Sequence, residues 1–156
     1  MMKEIERKFL VNSTAFKSEA TNHYKIIQGF LNTHPERTVR VRLKDKMGIL
    51  TVKGKSSDDG TERFEWETIL NREDAIELLA LCEPGIIEKE RYEVDFEGHL
   101  FEVDVFLKDN EGLIIAEIEL NTSEQYFEKP EWLGDEVTGD LRYYNSQLSK
   151  NPFKTW

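Results

Sequence analysis

The chain has 156 residues, with Lys plus Arg at 21, Asp plus Glu at 31 and a formal net charge of −10. This length predicts a single domain over residues 1–156 that buries enough surface to need no disulfide or metal staple. The acidic balance argues against bulk electrostatic binding to nucleic acid or an anionic membrane, and no apolar run reaches the roughly 18 residues of a transmembrane helix.

The N-terminal stretch MMKEIERKFLV lacks the apolar segment and small-residue cleavage site of a secretory signal. The one cysteine, Cys82, has no internal partner and sits among Leu78, Leu79 and Leu81 as a small hydrophobe. A cytoplasmic location is the expectation.

In chain order, strands are predicted over 3–11, 24–33, 37–45, 49–56 and 61–70, then 86–96, 99–108 and 113–121. A helix is predicted over 72–82, capped by Asn71, with Glu73 and Asp74 at its start and Pro84-Gly85 at its end. Shorter helices are expected near 13–20, 123–129 and 140–150, the last capped by Asp140. Asp45-Lys46-Met47-Gly48, Ser57-Asp58-Asp59-Gly60, Glu97-Gly98 and Asp109-Asn110-Glu111-Gly112 read as tight turns, so the sheet is antiparallel.

A strand sends alternate side chains to opposite faces. Sorted by parity, Glu4, Glu6 and Lys8 share a face, as do Arg40 with Arg42 and Arg63 with Glu65 and Glu67. Lys53 opposes Leu50 and Val52, and Lys89 shares a face with Arg91. Glu102 and Asp104 oppose Phe101 and Val103, and Glu117 and Glu119 oppose Ala116 and Ile118. Such alternation suits an open sheet with one wet face. Two features favour closure instead: about eight strands can form a barrel around one small ligand, and the charges come in single-sign blocks, unlike a mixed solubilising surface. The expected fold is mainly β (α+β), an eight-stranded antiparallel β-barrel or tunnel with helices packed outside and a C-terminal helix.

Charges lining a barrel need partners. Converging carboxylates without His or Cys suit a hard divalent cation such as Mg²⁺ or Mn²⁺. Paired arginines suit phosphate, and a phosphate chain held by metal and basic residues is the usual setting for phosphoryl transfer.

Glu4-Ile5-Glu6-Arg7-Lys8 resembles the ExExK signature of the CYTH superfamily, the triphosphate tunnel metalloenzymes. The similarity continues through Gln28-Gly29-Phe30-Leu31, Arg40-Val41-Arg42, Leu50-Thr51-Val52-Lys53 and Arg63-Phe64-Glu65-Trp66-Glu67. It runs on through Lys89-Glu90-Arg91-Tyr92, Glu102-Val103-Asp104-Val105-Phe106 and Ala116-Glu117-Ile118-Glu119, and ends at Val137-Thr138-Gly139-Asp140-Leu141-Arg142-Tyr143. The resemblance, to a family that includes inorganic, thiamine and RNA triphosphatases and class IV adenylate cyclases, implies a metal-dependent triphosphatase, most similar to the small bacterial inorganic triphosphatases and acting on a small-molecule triphosphate; the acidic charge is the reason no nucleic-acid partner is expected. Glu4, Glu6, Asp104, Glu117 and Glu119 then resemble metal ligands. Lys8, Arg40, Arg42, Lys53, Arg63, Lys89, Arg91 and Arg142 resemble phosphate ligands. Lys8, Glu65 and Asp104 are the catalytic candidates, with Glu67 beside them. Some members carry Tyr where this chain has Phe30, so a Lys–Tyr pair with the motif lysine cannot form here.

Other motifs carry little. Gly54-Lys55-Ser56 lacks the earlier glycine and following helix of a P-loop. His23, His34 and His99 have no zinc spacing. The rival functions are a class IV adenylate cyclase, a thiamine or nucleoside triphosphatase on the same scaffold, and a non-catalytic polyphosphate-binding module.

Overall fold

The computed structural model describes residues 3–156. The strands are β1 (Lys3–Val11), β2 (Asn22–Asn32), β3 (Arg37–Lys44), β4 (Met47–Gly54), β5 (Glu62–Leu70), β6 (Ile87–Phe96), β7 (His99–Phe106), β8 (Ile114–Glu119) and β9 (Leu133–Glu136). Their order is β5-β4-β3-β2-β6-β7-β8-β1-β9, and a further β5–β1 pairing closes the first eight into an antiparallel barrel. At the seam β1 divides its edge. Lys3, Glu4 and Ile5 pair with β5, while Phe9 and Val11 pair with β9. The expected barrel is therefore present, and the short β9 is an addition.

Closure inverts the usual burial of a sheet, because the apolar rows face outward and are covered from outside. α1 (Phe16–Glu19) and residues 121–132 cover β1, β6, β7 and β8, placing Phe16, Phe127 and Trp132 over Phe9, Phe101 and Ile118. α2 (Arg72–Ala80) covers β3 and β4, with Ala75 against Val41 and Leu43. Asn71 caps α2 as expected, its side chain accepting from the Asp74 N–H at 2.8 Å. Glu97 and Gly98 both have positive φ, 47° and 80°, as a tight two-residue hairpin requires.

Three expected helices differ. The one near 13–20 is a single turn. No helix forms at 123–129. Gln125 Oε1 takes the Asn121 N–H at 2.7 Å, and Phe127 is drawn edge-on to Phe9 and Phe101, so the segment lies irregularly along the barrel wall. The expected 140–150 helix is a 3₁₀ turn, Leu141–Tyr143, followed by one α-turn, α3 (Asn145–Leu148). Tyr144, with ψ 134°, breaks it. That break turns Tyr143 and Leu148 into one end of the barrel. There they close an apolar layer with Phe30, Ile87, Phe106, Leu113, Ile115 and Val137. Among the described residues no helix is long and apolar enough to cross a membrane.

Candidate functional site

Strand register brings carboxylates face to face. Glu6 stands directly opposite Glu119 across β1–β8, and Glu102 stands opposite Glu117 across β7–β8. Like charges in these positions destabilise a sheet, so something other than sheet stability keeps them there. With Glu4 and Glu65 they line one side of a cavity of about 260 Å³ inside the barrel.

Ionisation is unequal among them. Burial, then the charges of Glu117 and Glu4, raise Glu6 well above the ordinary carboxylate range. Burial also opposes ionisation of Glu117, but Lys8, a hydrogen bond with Glu6 and Arg91 outweigh it and hold Glu117 well below that range. One proton between the two carboxylates satisfies both. Glu4 and Glu65 form a second pair around Lys53, whose Nζ donates to Glu4 Oε1 and Oε2 at 2.9 and 3.1 Å and lies 3.4 Å from Glu65. Burial, then the hydrogen bond and charge of Glu4, push Glu65 up to about 7. Glu119, at the rim, is raised by burial, Glu4 and Glu102.

These donors are all oxygen, and a small hard cation would relieve their repulsion. Among the described residues no three of them already converge on one ion-sized point. They lean on cations instead, with Glu117 lying 3.8 Å from Lys8 and 3.7 Å from Arg91. The donor set fits a hard divalent cation in its chemistry and in its need for positive charge.

The opposite wall is basic and has two tiers. In the first, Arg91 clasps Asp104 through Nε and Nη2 at 2.7 and 2.9 Å, and Lys89 Nζ reaches the same carboxylate at 2.7 Å. Burial raises Asp104, yet Arg91 and Lys89 bring it down to about 2. Burial is also the largest influence on Lys89. With repulsion from Arg91 and Arg42 it overrides Asp104 and lowers the amine to about 7.

The second tier has no carboxylate bonded to it among the described residues. Arg42 Nε donates to Gln28 Oε1 at 2.9 Å, and Arg40 Nη2 donates to Thr51 Oγ1 at 3.1 Å. Arg40 Nε is buried with no partner. Burial, then repulsion from Arg40 and Arg91, lowers Arg42 to about 9, and burial with Arg91 lowers Arg40. Arg42 is buried and Arg40 half-buried, and two such guanidiniums without a bonded carboxylate call for an anion. Near the plugged end, Arg63 donates to Gly54 O and Thr38 Oγ1, while Lys8 donates to Tyr143 O at 3.4 Å and sits 5.1 Å from the Tyr144 ring centre.

The cavity thus brings together the predicted Glu4, Glu6, Glu65, Glu67, Glu117 and Glu119 with Lys8, Arg40, Arg42, Lys53, Arg63, Lys89 and Arg91. Two predicted residues are placed elsewhere. Asp104 does not line the cavity, because both its oxygens are taken by Arg91 and Lys89 behind the basic wall. That position does not suit a metal ligand. Arg142 is on the outer surface, paired with Asp140 at 2.9 Å and stacked on Tyr143 and Trp156, because the bend at Tyr144 leaves it outside. That position does not suit a phosphate ligand. Sequence reasoning put Glu102 on the charged face and quoted Gln28 in a motif without giving either a role in the site, and it assigned none to Tyr144 or Asn145. Gln28 could have been found as the polar residue in the inward row Tyr24, Ile26, Gln28 and Phe30. Asn145 carries no comparable signal.

Residues 2–150 match the CYTH domain. The chain is 49% identical over 158 residues to an inorganic triphosphatase of Acetivibrio thermocellus, covering 100% of this chain and 99% of that protein. It is 35% identical over 153 residues to an inorganic triphosphatase of Nitrosomonas europaea, covering 95% and 97%. A crystal structure of the inorganic triphosphatase NE1496 superposes with a TM-score of 0.67 at 31% identity, covering 96% of this chain and 95% of that one. A structure of PH1012 from Pyrococcus horikoshii OT3, 21% identical with a TM-score of 0.61 over 78% of this chain and 81% of that one, shares the fold. With its ExExK strand, its closed eight-stranded barrel and these matches over nearly all its length, the chain belongs to the CYTH domain family.

Proposed function

We propose that the chain hydrolyses inorganic tripolyphosphate, cleaving a terminal phosphoanhydride bond with water. The observation that carries this reading is the pair of guanidiniums without bonded carboxylates, buried Arg42 and half-buried Arg40, which share the cavity with a row of glutamates. The triphosphatase names of the 49% and 35% identical relatives support it.

Arg40, Arg42, Lys89 and Arg91 bind the phosphate chain, and the guanidiniums stabilise charge on the phosphate oxygens as the bond breaks. Asp104 does not react; it fixes Arg91 and Lys89 from behind. Glu4, Glu6, Glu117 and Glu119 would hold a divalent cation, Mg²⁺ or Mn²⁺, which supplies Lewis acidity and charge neutralisation when bound. Glu65, raised to about 7, takes the proton of the attacking water, since its basicity suits near-neutral pH. Lys8, fixed by the Tyr143 carbonyl, donates to a phosphate oxygen near the plugged end.

The test is phosphate release from tripolyphosphate, pyrophosphate and ATP, each with Mg²⁺, Mn²⁺ or EDTA. The reading expects fast release from tripolyphosphate that EDTA abolishes, and little from the others. Equal release from ATP, or cyclic AMP formed from it, would move the assignment to a nucleotide substrate.

A further inference from the structure

The basic wall uses two kinds of partner for its cations, and the difference is chemical. Lys53, Arg91 and Lys89 each meet a carboxylate, which cancels much of their charge, whereas Arg42 meets none among the described residues. Arg42 and Lys89 are also joined by carboxamides. Gln28 Oε1 accepts from Arg42 Nε at 2.9 Å, and Gln28 Nε2 donates to Asn145 Oδ1 at 2.8 Å. The same Asn145 oxygen accepts from Lys89 Nζ at 2.9 Å. Gln28 and Lys89 are at most 1% exposed and Arg42 is 8% exposed, so the cation ends of this chain are shielded from solvent, while Asn145 is half-buried.

An amide oxygen orients a cation without neutralising it. A carboxylate at the same point would make stronger bonds but remove positive charge that an anion needs. We infer that Asn145, reached only because the C-terminal segment folds into the barrel end, is a positioning residue that aims Lys89 and, through Gln28, Arg42 at the phosphate chain without adding negative charge to the one that Asp104 already places on Lys89. The inference rests on the triphosphate reading and deepens it. Asn145 is one residue past Tyr144, which lies under Lys8 and Arg63, so one short segment touches the wall at several cations.

The test compares Asn145→Asp with Asn145→Ala, measuring thermal midpoint, KM and kcat for tripolyphosphate, and calorimetric binding of tripolyphosphate with EDTA present. If Asn145 only fastened the C-terminal segment, Asp would accept the same two donors and behave as wild type. The inference instead expects Asn145→Asp to keep or raise the thermal midpoint yet weaken binding and raise KM about tenfold, a factor a single added charge in such a site readily supplies. Asn145→Ala is expected to lower kcat with a smaller change in KM, because Lys89 keeps its charge and loses its aim. Wild-type binding and KM in Asn145→Asp overturn the inference and leave the triphosphatase reading intact. A wild-type chain that neither binds nor cleaves tripolyphosphate overturns both.

Discussion

Asp104 offers the sharpest separation between holding the basic wall and holding a metal. The change Asp104→Asn keeps the shape and removes the charge. It leaves Arg91 and Lys89, both buried, facing a neutral amide where they had bonds of 2.7, 2.9 and 2.7 Å. Neutralising one partner of a buried pair costs about 3–5 kcal/mol. For a domain of this size that is a fall of roughly 6–20 °C in thermal midpoint. Lys89 adds a pH signature, because its amine is already lowered to about 7. Above that pH the amine is neutral and demands no partner, so the deficit is expected to be larger at pH 6 than at pH 8.5. Urea denaturation of both proteins at the two pH values reads this directly. A loss under about 1 kcal/mol at both pH values would refute the anchoring role. So would an activity loss that excess Mg²⁺ restores, which is what a metal ligand would show.

Three further changes probe the remaining assignments. Glu65→Gln should lower kcat by about 10²-fold or more and abolish the acid limb of the rate profile near pH 7, where the carboxyl must ionise to take a proton; an unchanged limb assigns the base elsewhere. The sign for stability is opposite: a carboxyl raised in the fold binds a proton that the unfolded chain has released, so wild-type stability falls as pH rises from about 4.5 to 7, and Glu65→Gln should flatten that fall in denaturation curves. Glu6→Gln should eliminate cation-dependent turnover while keeping or raising the thermal midpoint, since it removes a carboxyl that burial, Glu117 and Glu4 already disfavour as an anion; turnover near wild type would remove Glu6 from the cation site. Arg142→Ala should leave KM for tripolyphosphate within about twofold, as expected of an exposed ion pair; a rise of tenfold would bring Arg142 back to the substrate.

Much of this site was readable because a strand has a strict period of two. Parity alone put Glu4, Glu6, Arg40, Arg42, Lys89 and Arg91 on a common side, and the single-sign blocks pointed to an interior. Parity names a face and never a partner, which is why Asp104, correctly faced, could not be read as already taken by Arg91 and Lys89. Loops have no parity. Arg142 followed its motif in sequence, but the bend at Tyr144 sent it outside and its near neighbour Asn145 inside. The helices expected at 123–129 and 140–150 yielded to tertiary demands, as Phe127, Tyr143 and Leu148 were drawn into apolar layers. The strand Leu133–Glu136 escaped notice because LGDE has neither β-branched residues nor alternation.

The seam of the barrel bears on how the chain is made. β1 is made before every strand it pairs with, β5, β8 and β9, and the apolar layer that seals the barrel end waits for Tyr143 and Leu148. This strand, with Glu4, Glu6 and Lys8 alternating with Ile5 and Phe9, has most of its length unpaired until β8 is made. Its alternating charges blunt it as an edge that could otherwise recruit a neighbouring nascent chain. The residues that suit the finished interior to a polyanion thus also protect the strand before that interior exists.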